Sequence, residues 1–283
     1  MILIADGGST KADWIALDDT KKEVFRTTTL GLNPSVLTEH EMLSTINSAD
    51  DLLKVQNDTL QIHFYGAGCG SPKAAKSLQN VLKSIFKKAT VFVSEDTLAA
   101  VYASTGEKPG IVCILGTGSN SCYYDGKNIT TTAPSLGYTI MDEASGNYFG
   151  KQLLRDFYYD KMPKRIASAF KTSFELDTDT VKMNLYRKPY PNMYLASFAK
   201  FMLEYKGEKY IRKMIKKGVQ EFFKYRILPF EKDKQTPIYF IGSIAYYFQD
   251  ILEKVALKNN LIVTDVIQRP IDNLVDFHRN HSF

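Results

Sequence analysis

Two stretches of the sequence share one pattern: ILIADGGSTK at residues 2–11 and IVCILGTGSN at residues 111–120. Each is an apolar run that ends in closely spaced glycines and small polar residues. Such a run predicts a buried strand that enters a tight turn, because glycine lets the backbone bend with no side chain in the way. A polar-apolar return segment follows each turn. The chain is therefore predicted to contain two α/β domains that each begin with strand, glycine turn and strand.

The chain between the two turns alternates between strand and helix patterns. A third strand is predicted over residues 23–30. A helix is predicted over residues 38–54, broken near Ser48, because Thr38 and Glu41 have the spacing of a capping box. Strand, helix, strand and helix patterns follow in QIHFYGAG, PKAAKSLQNVLKSIF, TVFVSED and TLAAVYAS. This order, β-β-β-α-β-α-β-α, is typical of a layered α/β domain.

The second half of the chain repeats the opening pattern and then becomes mainly helical. A hairpin follows the second turn, since Asp125-Gly126 is a strong turn signal. Residues 145–228 are predicted to be mostly helix. One amphipathic stretch places an apolar stripe on one face and lysines on the other, and we interpret the stripe as core. A strand, a Gly-Ser turn and a helix follow in PIYFIGSIAYYFQDIL, and the polar tail is predicted to be helical.

Composition and charge are those of a globular enzyme. The 283 residues are 44% hydrophobic and 24% charged, and the net charge of +5 is spread along the chain. A diffuse charge does not predict a nucleic-acid partner. No apolar run reaches the ~18 residues of a membrane span, and no secretory signal is visible. Cys69, Cys113 and Cys122 lack disulfide or metal spacing, so we expect a reducing, cytoplasmic location and no membrane partner.

The first glycine turn has the features of a phosphate-binding loop. Gly7 and Gly8 would let backbone N–H groups approach a polyphosphate, and hydroxyls and one positive charge follow on Ser9, Thr10 and Lys11. Asp6, at the strand end, could hold Mg²⁺ through water, which suits a cation that keeps its hydration. An ordinary hairpin turn is an equal alternative for this stretch alone.

The second glycine turn strengthens the first. Gly116, Thr117 and Gly118 again lie between two predicted strands at the start of a domain. Two such turns, facing each other across a cleft, could clamp the phosphates of one nucleotide from both sides. The pair is better evidence for a nucleotide site than either turn is by itself.

The motifs together resemble the N-acetylglucosamine kinase branch of the BadF/BadG/BcrA/BcrD ATPase family, within the actin/hexokinase/Hsp70 superfold. DGGSTK and LGTGSN resemble its two phosphate motifs, FIGSIA resembles its adenosine motif, and SLGYTIMDEASGNYFG resembles a signature loop. RPIDNLVDFH resembles a short tail motif, in which Asn273 stands where glycine is usual. These matches run in the family's order over nearly the whole chain.

The resemblance implies a fold of two ribonuclease H-like domains of the actin/hexokinase type with a central cleft. The expected domains are residues 1–107, joined by a C-terminal helix in residues 268–283, and residues 108–267 with a helical insertion. It also implies an ATP- and Mg²⁺-dependent kinase for the 6-hydroxyl of an amino sugar, with N-acetylglucosamine as the expected substrate. A homodimer stays open.

The resemblance also implies a role for particular residues. Asp96 corresponds to the general base, whereas position alone favours a helix-start carboxylate stabilised by the helix dipole. Its neighbour Glu95 would point another way. Gly242 and Ser243 would lie against the adenine ring. The sugar contacts would come from Asn33, Gly68, Cys69, Ser71, Thr117, Asn120, Ser135 and Asp142.

Plainer interpretations and rival functions stand beside this one. Asp142 and Glu143 would otherwise be an exposed helix N-terminus. The four histidines have no metal spacing or evident carboxylate partner and are expected in the core or on the surface. One rival is an ATPase activator of a radical enzyme, which needs cysteines for a shared iron–sulfur cluster. Another is a nucleotide- or sugar-binding regulator without catalysis.

Overall fold

The structure is a computed structural model that describes residues 1–281. The chain divides into two compact units, one formed by Met1–Glu107 with the segment from Arg269 on, the other by Lys108–Gln268. No helix in the described part of the chain is long and apolar enough to cross a lipid bilayer. Each unit has its own sheet and its own core.

The first unit is built on a five-stranded sheet. Its elements are β1 (Ile2–Gly7), β2 (Lys11–Leu17), β3 (Glu23–Leu30), α1 (Glu39–Asn47), α2 (Asp50–Lys54), β4 (Gln61–Gly66), α3 (Pro72–Ile85), β5 (Thr90–Glu95) and α4 (Asp96–Ser104). The strand order is β3-β2-β1-β4-β5. β1, β4 and β5 run parallel, and β2 runs antiparallel to β1 and β3. The predicted alternation of strands and helices is confirmed.

The capping box at the start of α1 is also confirmed. The Glu41 N–H donates to the Thr38 hydroxyl at 3.3 Å, and the Thr38 N–H donates to the Glu41 carboxylate at 2.8 Å. α1 ends before Ser48, which is its C-cap, and α2 begins two residues later. The predicted break in this helix is therefore real.

The second unit has a second five-stranded sheet and most of the helices. Its elements are β6 (Gly110–Leu115), β7 (Ser119–Tyr124), β8 (Ile129–Thr130), α5 (Gly146–Tyr158), α6 (Lys164–Ser173), α7 (Thr178–Tyr186), α8 (Pro191–Ser197), α9 (Phe201–Glu204), α10 (Lys209–Phe222), β9 (Ile238–Ile241), α11 (Ser243–Tyr247), α12 (Gln249–Lys258) and β10 (Val263–Ile267). A π-helical turn, Phe223–Ile227, extends α10. The strand order β10-β9-β6-β7-β8 repeats that of the first sheet when the strands are taken in chain order.

The apolar stripe of α10 forms part of the core of the second unit. Its members are fully or almost fully buried: Ile211, Ile215, Val219 and Phe222. They pack with the aromatic side chains of Phe149 and Phe240 in one continuous cluster. The interpretation of this helix as a solvated face over a core stripe is confirmed.

The last helix, α13 (Ile271–Asn280), belongs to the first unit. Its buried residues Ile271, Leu274 and Val275 pack against β1, β2 and α4. The Asn273 amide donates to the Ala103 carbonyl at 3.0 Å and ties α13 to α4. Asn273, which stands where the resembled tail motif usually has glycine, thus makes a helix-to-helix hydrogen bond.

The histidines fall into the two expected environments, with one correction. His63 and His278 are buried, with ring centroids 4.5 Å apart, and the Tyr65 hydroxyl lies 2.9 Å from Nε2 of His278. His281 has a carboxylate partner after all, because its Nε2 lies 3.3 Å from Glu107. Glu107 and His281 are far apart in sequence, so no local pattern could reveal this pair.

Candidate functional site

The strand ends of the first unit meet at one edge of its sheet. In the strand pairing, Gly7 of β1 is level with Gly66 of β4, and Gly66 is level with Glu95 of β5. Parallel strands present their carboxyl ends on the same side, where ligands are commonly held in open α/β sheets. The turn after β1, the loop after β4 and the start of α4 are therefore neighbours. We call residues 6–11, 31–35, 66–71 and 95–96 the strand-end cluster.

The loop after β3 packs directly on the first glycine turn. The Gly31 N–H donates to the Thr10 carbonyl at 3.1 Å, and a side chain at Gly31 would collide with the backbone of Gly8 and Ser9. The Asn33 amide donates to the Ser9 hydroxyl at 3.2 Å. The structure therefore places a predicted sugar ligand, Asn33, against the predicted phosphate turn.

The loop after β4 closes over the same asparagine. Gly68 has a φ of 79° and lies so close to Asn33 that a Cβ would overlap its amide oxygen. The Ser35 hydroxyl donates to the Gly68 carbonyl at 3.0 Å. The Ser71 hydroxyl is the N-cap of α3 and accepts from the Ala74 N–H at 3.2 Å. Glycine is required at position 68, because any side chain would push the two loops apart.

Asp96 is the first residue of α4 and is half-buried at the end of β5. Cys69 is a neighbour of this carboxylate. Burial, with the negative charges of Asp96 and Glu95, raises the pKa of the Cys69 thiol to about 12. A thiol with so high a pKa stays protonated and is a poor nucleophile. The carboxylates of Asp96 and Glu95, and not this thiol, thus have the chemistry of a proton acceptor in this corner.

A cluster of charges surrounds the base of the first turn. Asp6 and Asp13 are direct cross-strand partners in β1 and β2. Lys11 Nζ donates to Asp13 at 2.8 Å, and Arg269 donates to the other oxygen of Asp13 at 3.1 Å. Burial, with the Asp13 carboxylate, raises the pKa of Asp6 to about 7, against the opposing effect of Lys11 and Arg269. Burial is the largest single influence on Asp13 and would raise its pKa. The hydrogen bond and charge of Lys11, together with the charge of Arg269, outweigh it, so the pKa of Asp13 is lowered below its usual range.

The second unit assembles a matching glycine turn, which we call the second turn, Gly116–Asn120. Ile114 of β6 is level with Ile241 of β9, so the second turn and Gly242 lie at the same edge of the sheet. Gly242 has a φ of 112°, and a Cβ there would collide with the Leu115 carbonyl. Gly242 must therefore be glycine, and Ser243 begins α11 directly beside the second turn.

A buried carboxylate supports the second turn from below. Asp142 is 5% exposed and has a φ of 70°. Its two oxygens accept from the Ser119 N–H and from the Asn147 amide, both at 3.3 Å. The N–H groups at the start of α5 donate to the Gly116 and Thr117 carbonyls at 2.8 and 2.9 Å. Asp142 is therefore not the exposed helix-start residue of the plainer interpretation, which is wrong.

The loop that carries Asp142 is itself held by a buried arginine. Arg226, in the π-helical turn, is 2% exposed. It donates to the Ala133 carbonyl at 3.3 Å, and its Nε lies 3.7 Å from the Glu143 carboxylate. Ser135 lies on the exposed part of the same loop, and Asn120 is buried on β7 with its amide oxygen bonded to the Ser121 N–H. Arg226 was not predicted, because a single arginine in an aromatic helix gives no local signal.

Both turns leave room for phosphate oxygens next to the backbone. A Cβ at Gly116 would meet nothing within 4 Å, and one at Gly8 would touch the Lys11 carbonyl at 3.4 Å. Asp6 offers a carboxylate for a hydrated Mg²⁺, which proteins usually bind through one or two carboxylates and the phosphates. Within residues 1–281 no group of three or more Asp, Glu, His or Cys side chains is arranged so that it could hold a metal ion. The residues fit ATP and Mg²⁺.

One solved structure is similar to this protein over nearly its whole length. It is a proposed N-acetylglucosamine kinase from Porphyromonas gingivalis, 32% identical to this chain, with a TM-score of 0.91 and 99% of each chain covered. The chain belongs to the family of this protein. No protein-family model and no curated protein matches the sequence.

More distant members of the same fold agree with this family. A proposed N-acetylglucosamine kinase from Chromobacterium violaceum is 13% identical with a TM-score of 0.69 and covers 98% of both chains. A ROK family glucokinase from Streptomyces griseus, solved with glucose and AMPPNP, is 12% identical with a TM-score of 0.56 and covers 99% of this chain and all of its own. The expected α/β fold of the actin/hexokinase type is confirmed.

The residues that support the two glycine turns of this protein were not predicted from the sequence. Asp13 could have been noticed as the one charge inside the apolar stretch ADWIAL. Arg269 lies 256 positions away from Asp13 in the chain. Arg226 and Asn147 act through contacts that only the folded chain creates. The turns themselves carry a local signal, whereas their supports do not.

Proposed function

We propose that this protein is an ATP-dependent sugar kinase that phosphorylates the 6-hydroxyl of an amino sugar, N-acetylglucosamine. The observation that carries the proposal is the strand-end cluster, in which Asp96 lies at the same sheet edge as a glycine turn open to phosphate. The family relation to the Porphyromonas protein supports the sugar. The sequence motifs support a place in the N-acetylglucosamine kinase branch of the BadF/BadG/BcrA/BcrD family.

In this proposal the two turns bind the phosphates of one nucleotide. Backbone N–H groups and short polar side chains at residues 7–11 and 116–118 would face the phosphate oxygens, with Lys11 adding charge. Gly242 and Ser243 would lie against the adenine ring. Asp6 would orient the hydration shell of Mg²⁺, whose charge would offset that of the phosphates. The proposal requires that both turns contact the same ATP.

Asp96 is proposed as the general base. Its carboxylate would accept the proton of the sugar hydroxyl while that oxygen bonds to the γ-phosphorus and the bond to the ADP oxygen breaks. Phosphoryl transfer depends mostly on positioning and charge stabilisation, so a single acceptor beside the nucleophile is enough. The sugar would be held by the residues to which the resemblance assigns this role: Asn33, Gly68, Cys69, Ser71, Thr117, Asn120, Ser135 and Asp142.

The rival activator function gains no support from the cysteines. Cys69, Cys113 and Cys122 are all buried, two of them with no exposed surface. Burial, with the neighbouring Cys122, raises the pKa of the Cys113 thiol, whereas a cluster ligand must be a thiolate. A shared iron–sulfur cluster would need accessible thiolates on the surface.

A panel of sugars tests the proposal. The purified protein is incubated with ATP, Mg²⁺ and one sugar at a time, and ADP and sugar phosphate are measured together. We expect ADP to form in step with N-acetylglucosamine 6-phosphate and far more slowly with glucose or without sugar. Turnover of glucose or N-acetylmannosamine alone would overturn the proposed substrate. ATP consumption that no sugar stimulates would overturn the kinase itself.

A further inference from the structure

The charge cluster at the base of the first turn contains two cations whose side chains stay half-exposed. Asp13 accepts three hydrogen bonds, from Lys11 Nζ at 2.8 Å and from Arg269 and the Thr28 hydroxyl at 3.1 Å each. Its side chain is 10% exposed, whereas those of Lys11 and Arg269 are each 52% exposed. Asp6 is the cross-strand partner of Asp13, so the two cations match two carboxylates. Both cations nevertheless keep about half of their side-chain surface open to solvent near the first turn.

Arg269 keeps most of its hydrogen-bonding capacity. A guanidinium carries five N–H donors, and within residues 1–281 the structure shows one hydrogen bond from it, to Asp13. Asp13 lies two residues along β2 from Lys11, roughly 7 Å at the usual rise per residue. The Arg269 guanidinium, which bonds Asp13, therefore lies about two residues along β2 from the end of the first turn.

Arg26 offers a direct comparison on the same strand pair. It lines the same small groove as Arg269 and is 50% exposed. Its guanidinium donates to both oxygens of Glu23, at 2.7 and 2.8 Å, and also pairs with Asp272 at 3.1 Å. Arg26 is thus paired with two carboxylates of its own, whereas Arg269 shares one carboxylate with Lys11.

We propose that Arg269 is a second cationic ligand for the nucleotide phosphates, held beside Lys11 by the Asp13 carboxylate. The proposal rests on the proposed kinase function and adds a residue to its phosphate site. Arginine suits this place because its planar fork binds phosphate oxygens in pairs and always carries its charge. Asp13 is a positioning residue, because it bonds both cations while their side chains stay half-exposed and open to a ligand.

Arginine labelling of the unmodified protein tests this without any variant. The wild-type protein is treated with phenylglyoxal, alone or with ATP, inorganic tripolyphosphate or adenosine, and labelled peptides are counted by mass spectrometry. We expect ATP and tripolyphosphate to protect Arg269 several-fold, adenosine to leave it labelled, and Arg26 to be labelled equally throughout. Arg269 that stays equally labelled while ATP binds would overturn the inference and leave the kinase proposal intact.

Binding measurements on two matched variants complete the test. Arg269→Gln and Arg26→Gln are compared by calorimetric titration with tripolyphosphate and with ATP. A lost charge-assisted contact should weaken both ligands about tenfold in Arg269→Gln, with no change in Arg26→Gln. Unchanged tripolyphosphate affinity in a folded Arg269→Gln would show that Arg269 only fastens the C-terminal segment to β2. Failure of the wild type to bind ATP at all would instead count against the proposed function.

Discussion

The two glycine turns are alike in sequence and in strand pairing, yet different groups stabilise them. The first turn rests on Asp13 and its two half-exposed cations, Lys11 and Arg269. The second rests on Asp142, which is buried, has a left-handed backbone and accepts hydrogen bonds from the turn itself and from α5. One motif can therefore be supported either by a buried carboxylate with half-exposed cations or by a buried hydrogen-bond network.

The difference has energetic consequences. Exposed ion pairs usually contribute about 0–1 kcal/mol to stability, because water solvates both partners well when they separate. Each buried polar group that is left without a hydrogen-bond partner lowers the free energy of unfolding by about 1–3 kcal/mol. This applies both to a buried carboxylate and to the buried groups that donate to it. From this contrast we expect the half-exposed cations of the first turn to adjust around a charged ligand and the buried network of the second turn to stay in place. We expect variants in the two units to separate these roles.

The largest effect is expected at Asp96, in the unit with the adaptable turn. Asp96→Asn keeps the size of the side chain but removes the proton acceptor, so kcat should fall roughly 10²–10⁴-fold. Both KM values and the melting temperature should change little, because the lost interaction belongs to the transition state. Glu95→Gln, the adjacent carboxylate, is the control and should stay within a few-fold of wild type. A near-normal kcat in Asp96→Asn would reject Asp96 as the base.

The next effect is a difference in stability between Asp142→Ala and Asp13→Ala. Removing Asp142 leaves the Ser119 N–H and the Asn147 amide unpaired and places alanine at a φ of 70°. We expect the free energy of unfolding to fall by about 2–4 kcal/mol. Removing Asp13 frees two half-exposed cations to water and should cost about 1 kcal/mol. Urea unfolding measures both, and equal losses would contradict the contrast between the turns.

The succession of strands and helices along the chain and the two turns could be predicted because they depend on local patterns. Apolar runs, paired glycines and the capping box at Thr38 each act within a few residues. The burial of Asp142 could not be predicted, because a carboxylate in a left-handed conformation under a turn has no periodic signal. The pairing of Asp13 with Arg269 joins the two ends of the chain. Supports formed by distant residues become visible only in the folded structure.

A smaller effect is expected when a methyl group enters each turn. Gly8→Ala and Gly116→Ala have room in the protein itself, whereas a Cβ at Gly118 would lie 2.8 Å from the Asp142 carboxylate and disturb the fold. The methyl group should displace phosphate oxygens and weaken ATP binding about 10–100-fold. Gly207→Ala, where a Cβ also meets nothing within 4 Å, is the control. Wild-type ATP affinity in both turn variants would refute the phosphate clamp.

The smallest expected effect is a loss of stability at low pH in the first unit and not in the second. All four histidines, at positions 40, 63, 278 and 281, belong to the first unit. Burial lowers the pKa of His63 to about 4, and burial with the charges of His63, His281 and Lys21 lowers that of His278 to about 3. An unfolded histidine takes up a proton near pH 6.5. The free energy of unfolding of the first unit is therefore unaffected by these two histidines above pH 6.5, and it decreases as the pH falls toward 4.

At pH 5.5 each buried histidine should cost about 1 kcal/mol of unfolding free energy relative to pH 7.5, since the unfolded chain binds the proton that the core refuses. Hydrogen exchange, corrected for the intrinsic effect of pH, should show loosening of β4 and α13 while α10 in the second unit is unchanged. His63→Phe keeps a ring against Phe92, whose centroid lies 4.8 Å away, and removes one of the two groups. It should reduce the acid-induced loss by about half. Equal loosening of both units, or an unchanged acid response in His63→Phe, would show that these histidines do not set the difference.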